Sequence, residues 1–269
     1  MADMLRRELA PITQEAWAEI DEQAKRILTG NLSARAIVDV DGPLGMTLGA
    51  VNLGTVKPGK AQPVKGVKWG IREVQPLIEI SAPFSLSMAD LDSISRGGKT
   101  PELGPVVDAA RKIALFEESV IYQGFKDGGI AGILAVTEMK PVTMAKQAGA
   151  FAKAVEDAVH SIQSNGIGGP YDLVLGRAPY QMLVVGDEKG YPLKNRILDM
   201  LGGALHWSPA IEWGAVLSVR GGDFELTIGQ DLSIGYEGHS GGEVNLYITE
   251  SFTFRVLEPA AAVEIKAKA

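Results

Sequence analysis

The stretch Arg220–Gln230, RGGDFELTIGQ, running on through DLSIGYE to NLYITESFTFRVLEP, constrains this chain more than any other. Its paired glycines beside alternating apolar residues read as a tight hairpin. The runs of Ile, Leu, Phe, Tyr and Thr that follow read as long strands. No nucleophile–base pair, metal-ligand cluster or phosphate loop lies in it. A chain whose clearest signature is architectural is expected to assemble rather than to catalyse.

The bulk figures narrow the class. With 269 residues, 46% of them hydrophobic, the chain can bury a large core, as one domain or two interlocked ones. Its 32 glycines argue for many turns and against a helical bundle. The net charge of −7 comes with no long basic run, so duplex nucleic acid is not an expected ligand. There are no cysteines, which excludes disulfides, thiolate metal sites and cysteine nucleophiles. The opening MADMLRRELAPITQEAW lacks a signal-peptide apolar segment, and no window approaches the ~18 apolar residues that span a bilayer. A cytoplasmic protein without membrane contact is the expectation.

Along the chain, Thr13–Thr29 has helical spacing, with Ala16, Trp17, Ile20, Ala24, Ile27 and Leu28 on one face, Thr13 placed to cap it and Gly30 to end it. Ala34–Val40 alternates like a strand. Gly49–Lys68 crowds Gly, Pro and Lys around short β-prone pieces. It reads as an arm or hairpin leaving the body, because Val51, Val56, Val64 and Val67 suit a covered surface. IREVQPLIEI is strand-like, and Asp90–Thr100 is a short helix and turn. Pro105–Lys126 is the longest predicted helix, with Val106, Ala109, Ala110, Ile113, Ala114, Val120, Ile121 and Phe125 inward and Gly128–Gly129 as the stop. Thr143–Ser164 reads as a second amphipathic helix, Tyr171–Leu175 as a buried strand, and Ala178–Val185 and Pro192–Leu201 as short helices. The order is α+β, with no βαβ rhythm and so no parallel nucleotide-binding sheet.

Candidate chemistry is thin. Gly98-Lys99-Thr100 resembles the end of a phosphate loop, but Ser93 stands where a glycine is needed and Pro101 delays the next helix. NGIGGPY follows a helix and precedes a strand, the reverse of a dinucleotide fingerprint. His160, His206 and His239 share no metal-ligand spacing, and no GxSxG elbow accompanies a serine, although a triad assembled in space stays open. Asp187-Glu188-Lys189-Gly190 is a charged loop between two short helices, solvated when alone and an aperture when repeated around an axis. Leu28, Leu32, Ile37 and Val40 lie near Arg35 and Asp39. Core packing explains them, Val40 above all. A groove for an extended apolar peptide, with Arg35 and Asp39 fixing its polar groups at the rim, is the other reading.

These segments together resemble the encapsulins, shell proteins of bacterial and archaeal nanocompartments. The resemblance runs through LAPITQEAWAEIDEQAKRI, Arg35–Asp39, VKWGIREVQPLIEI, LFEESVIYQG, NGIGGPYDLVL, YPLKNR, RGGDFELTIGQDLSIGYE and ITESFTFRV. It implies the tailed-phage capsid fold of the Hong Kong 97 type. Residues 1–48, 69–135 and 228–253 would form the peripheral domain, with a spine helix over about 105–126. Residues 49–68 would form the extended loop, and 136–227 with 254–269 the axial domain. It also implies a non-enzymatic homo-oligomer, an icosahedral shell of about sixty copies or a multiple. The shell would enclose a cargo enzyme, either a ferritin-like iron oxidase or a peroxidase, held through a terminal peptide. The docking positions it implies are Leu28, Leu32, Arg35, Ile37 and Asp39, with Ile248 from the facing strand. Asp187, Glu188, Lys189 and Gly190 would line the five-fold pore. Gly190 stands where some relatives carry a histidine. Ala89 and Ser81 stand where flavin-binding relatives carry tryptophan and arginine, so no flavin or other cofactor is expected. A phage or prophage capsid protein and a secreted bacteriocin or protease are the alternative readings.

Overall fold

The computed structural model describes residues 4–188 and 191–268. Helix α1 spans Gln14–Thr29, and Thr13 caps it, its hydroxyl accepting from Ala16 N at 3.3 Å. Ala16, Ile20 and Ala24 are buried along one face, with Trp17, Ile27 and Leu28 packed partly against the same core. The predicted strand at Ala34–Val40 is instead a 3-10 turn over Ala34–Ala36, and strand β1 is only Asp39–Asp41. The reason is local. Ile37 and Val38 N–H donate to Ala34 O, and Ala34 N donates to Glu118, which leaves no ladder bonds to offer. Val40 pairs with Leu226 in β1 yet is 43% exposed, which corrects its assignment to the core.

Strands β2 (Ala50–Pro58) and β3 (Gly70–Pro76) form an antiparallel hairpin that pairs with no other strand among the described residues. IREVQPLIEI is therefore divided: its first half belongs to this hairpin and its second to β4 (Ile78–Ser87). Helix α2 (Met88–Ser95) follows, then α3 (Gly104–Gln123). The buried stripe of α3 is as expected, but Gly124 ends the helix rather than Gly128–Gly129, and Phe125 lies beyond it, edge-on to Phe116. Gly124 has φ 88°, and a Cβ there would sit 2.7 Å from Gly132 N, so only glycine fits.

Next come α4 (Ile133–Val136), β5 (Val142–Met144) and α5 (Phe151–Ser164). The α5 pattern had been expected to begin at Thr143, but that segment is taken by a parallel ladder with Ile265–Ala267. The second half continues with β6 (Tyr171–Leu175), α6 (Arg177–Val185), the two-residue strands β7 (Asp187–Glu188) and β8 (Tyr191–Pro192), α7 (Leu193–Leu201) and β9 (Gly202–Trp207). It closes with β10 (Gly214–Ser218), β11 (Phe224–Ile228), β12 (Ser233–Ser240), β13 (Glu243–Val256) and β14 (Ala262–Ala267).

Two five-stranded sheets organise these elements. In the first, the long β13 pairs with β4 on one side, from Glu243↔Ser87 to Phe252↔Ile78. On its other side β12 and β11 lie end to end, and β1 runs parallel outside β11. Helices α1 and α3 cover one face of this sheet, burying Val244, Leu246 and Ile248 against Ile20, Val106 and Ile113. The second sheet runs β5-β14-β10-β6-β9 with mixed directions. Its core includes Leu173 and Val216 with Phe151 and Val155 of α5 and Ile197 of α7. Each such aliphatic side chain contributes about 1.5–3 kcal/mol of transfer free energy. The mixed sheets bear out the α+β expectation.

Candidate functional site

The end of α1, the turn after it and the start of β12 enclose a cavity of about 710 Å³. Leu28 and Leu32 form one apolar wall, both half-buried. Ile234 and the fully buried Ile248 form the floor from the sheet side. Lys25, Arg7, Asp21 and Asp231 supply polar groups around them, and Leu5 lines the cavity too. The spacing of Leu28 and Leu32, one helical turn apart, puts both on the same side of the chain as α1 gives way to the turn.

Of the residues proposed from sequence, Leu28, Leu32, Arg35 and Ile248 meet in this groove. Ile37 and Asp39 do not line it. Ile37 is 6% exposed and belongs to the core shared with the second sheet. Asp39 Oδ2 accepts from Gly222 N at 2.5 Å, so it fixes the Gly221–Gly222 turn beside β11. Lys25, Asp231 and Ile234 were missed. Lys25 was legible as a polar neighbour of Leu28, but Asp231 and Ile234 come from a remote segment that no local pattern connects to α1.

Arg35 has a different task from the one expected. Its Nε and Nη2 donate to the two oxygens of Glu117 at 2.8 and 2.7 Å, Nη1 to Asp231 at 2.8 Å and Nη2 to Glu250 at 2.5 Å. Bonded to three carboxylates of its own chain, it builds the groove wall. Burial lowers the Arg35 pKa, but the hydrogen bond and charge of Glu117, then Glu250 and Asp231, more than offset it, and the net change is upward. Glu250, 1% exposed, is pushed up to about 10 by burial first and by the charge of Glu117 next, with Arg35 opposing. Glu118, which follows Glu117 in α3, accepts from Ser33 and Ser208 at 2.6 Å each and from Ala34 N at 2.7 Å. Burial raises its pKa against those bonds. This network joins the α1 turn, α3, β13 and the second sheet's loops in one polar knot.

Elsewhere, Asp187 and Glu188 form β7, paired to Pro192 and Tyr191, so the charged loop is a small hairpin. Lys189 and Gly190 lie outside the described residues. His206 Nε2 meets Asp172 Oδ2 at 2.7 Å, and Asp172 Oδ1 accepts from Ala204 N at 2.7 Å, which ties β9 to β6. Among the described residues no group of three or more His, Asp or Glu is placed to hold a metal ion, and no helix is long and apolar enough to cross a membrane. Ser81 lines a second cavity of about 500 Å³ with Phe116, Phe125 and Lys112, while Ala89 is exposed in the first turn of α2.

A long β13 flanked by β4 and two shorter strands, a helix laid across it, a second mixed sheet and a projecting hairpin define the capsid fold of the Hong Kong 97 type. Solved structures with this fold include a virus-like particle from Pyrococcus furiosus, with a TM-score of 0.66 at 16% identity over 93% of this chain and 98% of that one. The capsid of Myoviridae phage XM1 gives 0.57 at 10% identity over 88% and 92%. The family model described as "Encapsulating protein for peroxidase" matches residues 2–253. The chain is 40% identical over 268 residues to the type 1 encapsulin shell protein of Rhodospirillum rubrum, covering 97% of this chain and 96% of that one. It is 38% identical to the shell protein of Brevibacterium linens, covering 97% and 98%. The chain belongs to this encapsulin family, and its role is that of a shell subunit.

Proposed function

We propose that copies of this chain close into an icosahedral, non-enzymatic shell of about sixty subunits or a multiple, and that the groove beside α1 docks a terminal peptide of an enclosed enzyme. The observation that carries the docking reading is the groove itself. Leu28, Leu32, Ile234 and Ile248 offer an apolar lining, and the Arg35 knot holds the wall without needing a ligand. In this reading the first sheet with α1 and α3 is the peripheral domain, the second sheet the axial domain, and the β2–β3 hairpin reaches a neighbour. The β7–β8 hairpin then faces a symmetry axis as a charged pore. The family description points to a peroxidase as the cargo, with a ferritin-like iron oxidase as the second reading. Assembly takes place in the cytoplasm.

The test is to purify particles from the source cells and identify the retained proteins by mass spectrometry, with and without Leu32→Asp. Closed particles that carry an enzyme in the unmodified form and come out empty in the variant are expected. Retention of the same enzyme at the same level in the variant overturns the docking reading.

A further inference from the structure

The segment Met4–Arg7 crosses the end of the groove and holds one rung of an open sheet edge. Tyr236 N–H, on β12, points away from β13 and donates to Leu5 O at 2.8 Å. Tyr247 Oη donates to Met4 O at 3.5 Å. Arg7 ties the same segment to α1: its Nη1 and Nη2 donate to the Asp21 carboxylate at 3.1 and 2.7 Å, and its guanidinium stacks 4.0 Å over the Trp17 ring. Between these anchors lies Arg6, with φ 52° the one non-glycine of positive φ among the described residues. That conformation is free of cost only for glycine, and such outliers persist where neighbours impose them. Strand alternation places the N–H and C=O of Ile234 on the same outward side as those of Tyr236. Ile234 lines the groove. The edge of β12 therefore continues from the rung that Leu5 fills straight into the groove.

We propose that residues 4–7 are a displaceable strap on a strand-addition site. An extended peptide entering the groove pairs its backbone with the β12 edge at Ile234, and strap and peptide compete for the rung at Tyr236. This rests on the docking reading above and adds how that site is gated. The occupant is an extended segment with apolar side chains at every second position, because a strand on this edge turns alternate residues toward Leu28, Leu32 and Ile248 and the others away. A helical ligand has no free backbone groups to offer an edge.

The experiment compares intact shells with shells lacking Met1–Arg6. Hydrogen exchange at the Tyr236 amide is expected to be at least tenfold faster in the truncated shells. A labelled synthetic peptide of the chain's own first nine residues, MADMLRREL, is expected to bind the truncated shells at least tenfold more tightly than intact ones and to restore the protection. Unchanged exchange, or equal or absent binding, overturns the strap. Arg7→Ala keeps the full length and loosens the clamp; about threefold faster Tyr236 exchange is expected, and no change argues against the strap even if the truncated chain fails to fold. In cargo-loaded shells the Ile234 amide is expected to be at least tenfold better protected than in empty ones, and equal protection overturns strand addition. Leu32→Asp separates the two layers. If its shells are empty while Tyr236 is indifferent to truncation, the docking reading stands and the strap falls. If its shells stay full while truncation frees Tyr236, the strap stands and the docking reading falls.

Discussion

The β2–β3 hairpin and the groove beside α1 both carry apolar surface, but they are prepared for contact in opposite ways. In the groove the apolar floor is set in the body of the chain: Ile234 is 4% and Ile248 0% exposed, and the wall is pinned by Arg35 to Glu117, Glu250 and Asp231. In the hairpin Val56, Ile71 and Val74 stand 57%, 61% and 47% exposed, with Trp69 just before β3 at 44%, on strands that among the described residues pair in a sheet only with each other. An isolated two-stranded hairpin is marginal in water, and exposed apolar patches of this kind mark a surface that another chain covers. In the reading proposed above, the groove is finished within one subunit, whereas the hairpin is finished only by assembly.

That contrast breaks most visibly at the hairpin. Replacing Leu53–Glu73 by Asn-Gly joins the paired Asn52 and Val74 through a two-residue turn. The subunit is expected to fold and the shell to fail to close. Electron microscopy checks this, and intact particles would falsify the idea that the hairpin is an assembly element. On the groove side the largest effect is expected from Arg35→Met, which strands Glu117 and Glu250 in the interior. Breaking a buried ion pair costs about 3–5 kcal/mol, so the unfolding midpoint of the purified protein should fall by many degrees. A midpoint within error of the parent would show that the knot is not what holds the wall.

Smaller effects sharpen the comparison further. Leu32→Asp leaves the knot intact, so stability should change by about 1 kcal/mol or less while cargo retention is lost. A variant as unstable as Arg35→Met would place Leu32 in the core rather than the groove. A separate test is the pH response of Glu250. Its folded pKa is raised from 4.5 to about 10, so folding takes up a proton between those values. The stability it contributes is complete below 4.5, declines as pH rises, and is lost as pH passes about 10. Glu250→Gln should flatten that decline. Denaturation midpoints measured at ~pH 6 and ~pH 9 test it, and parallel pH profiles for parent and variant would assign the slope elsewhere.

Much of the architecture was legible because it is local. The α1 cap at Thr13, the buried stripe of α3, the fully buried β6 and the short helices α6 and α7 follow from spacing within one segment. Where pattern misled, a remote partner decided. Thr143 reads as helical but pairs with the strand near the C-terminus, and Ala34–Val40 alternates like a strand but is drawn into a 3-10 turn anchored by Glu118. The groove divides in the same way: Leu28 and Leu32 were legible from α1, whereas Ile37 and Asp39 read as equally good lining and turned out to face elsewhere.

The order of residues alone determined that this chain has a large core, mixed helices and strands, no thiol chemistry and the segments of a shell-protein family. Tertiary structure alone decided that Arg35 is spent on carboxylates from α3, β13 and the segment before β12, and that the β12 edge runs on into the groove. The physical reason is range. Helical and strand periods act over a few residues, while a buried charge or an open sheet edge is defined by whatever the fold brings to it from far along the chain.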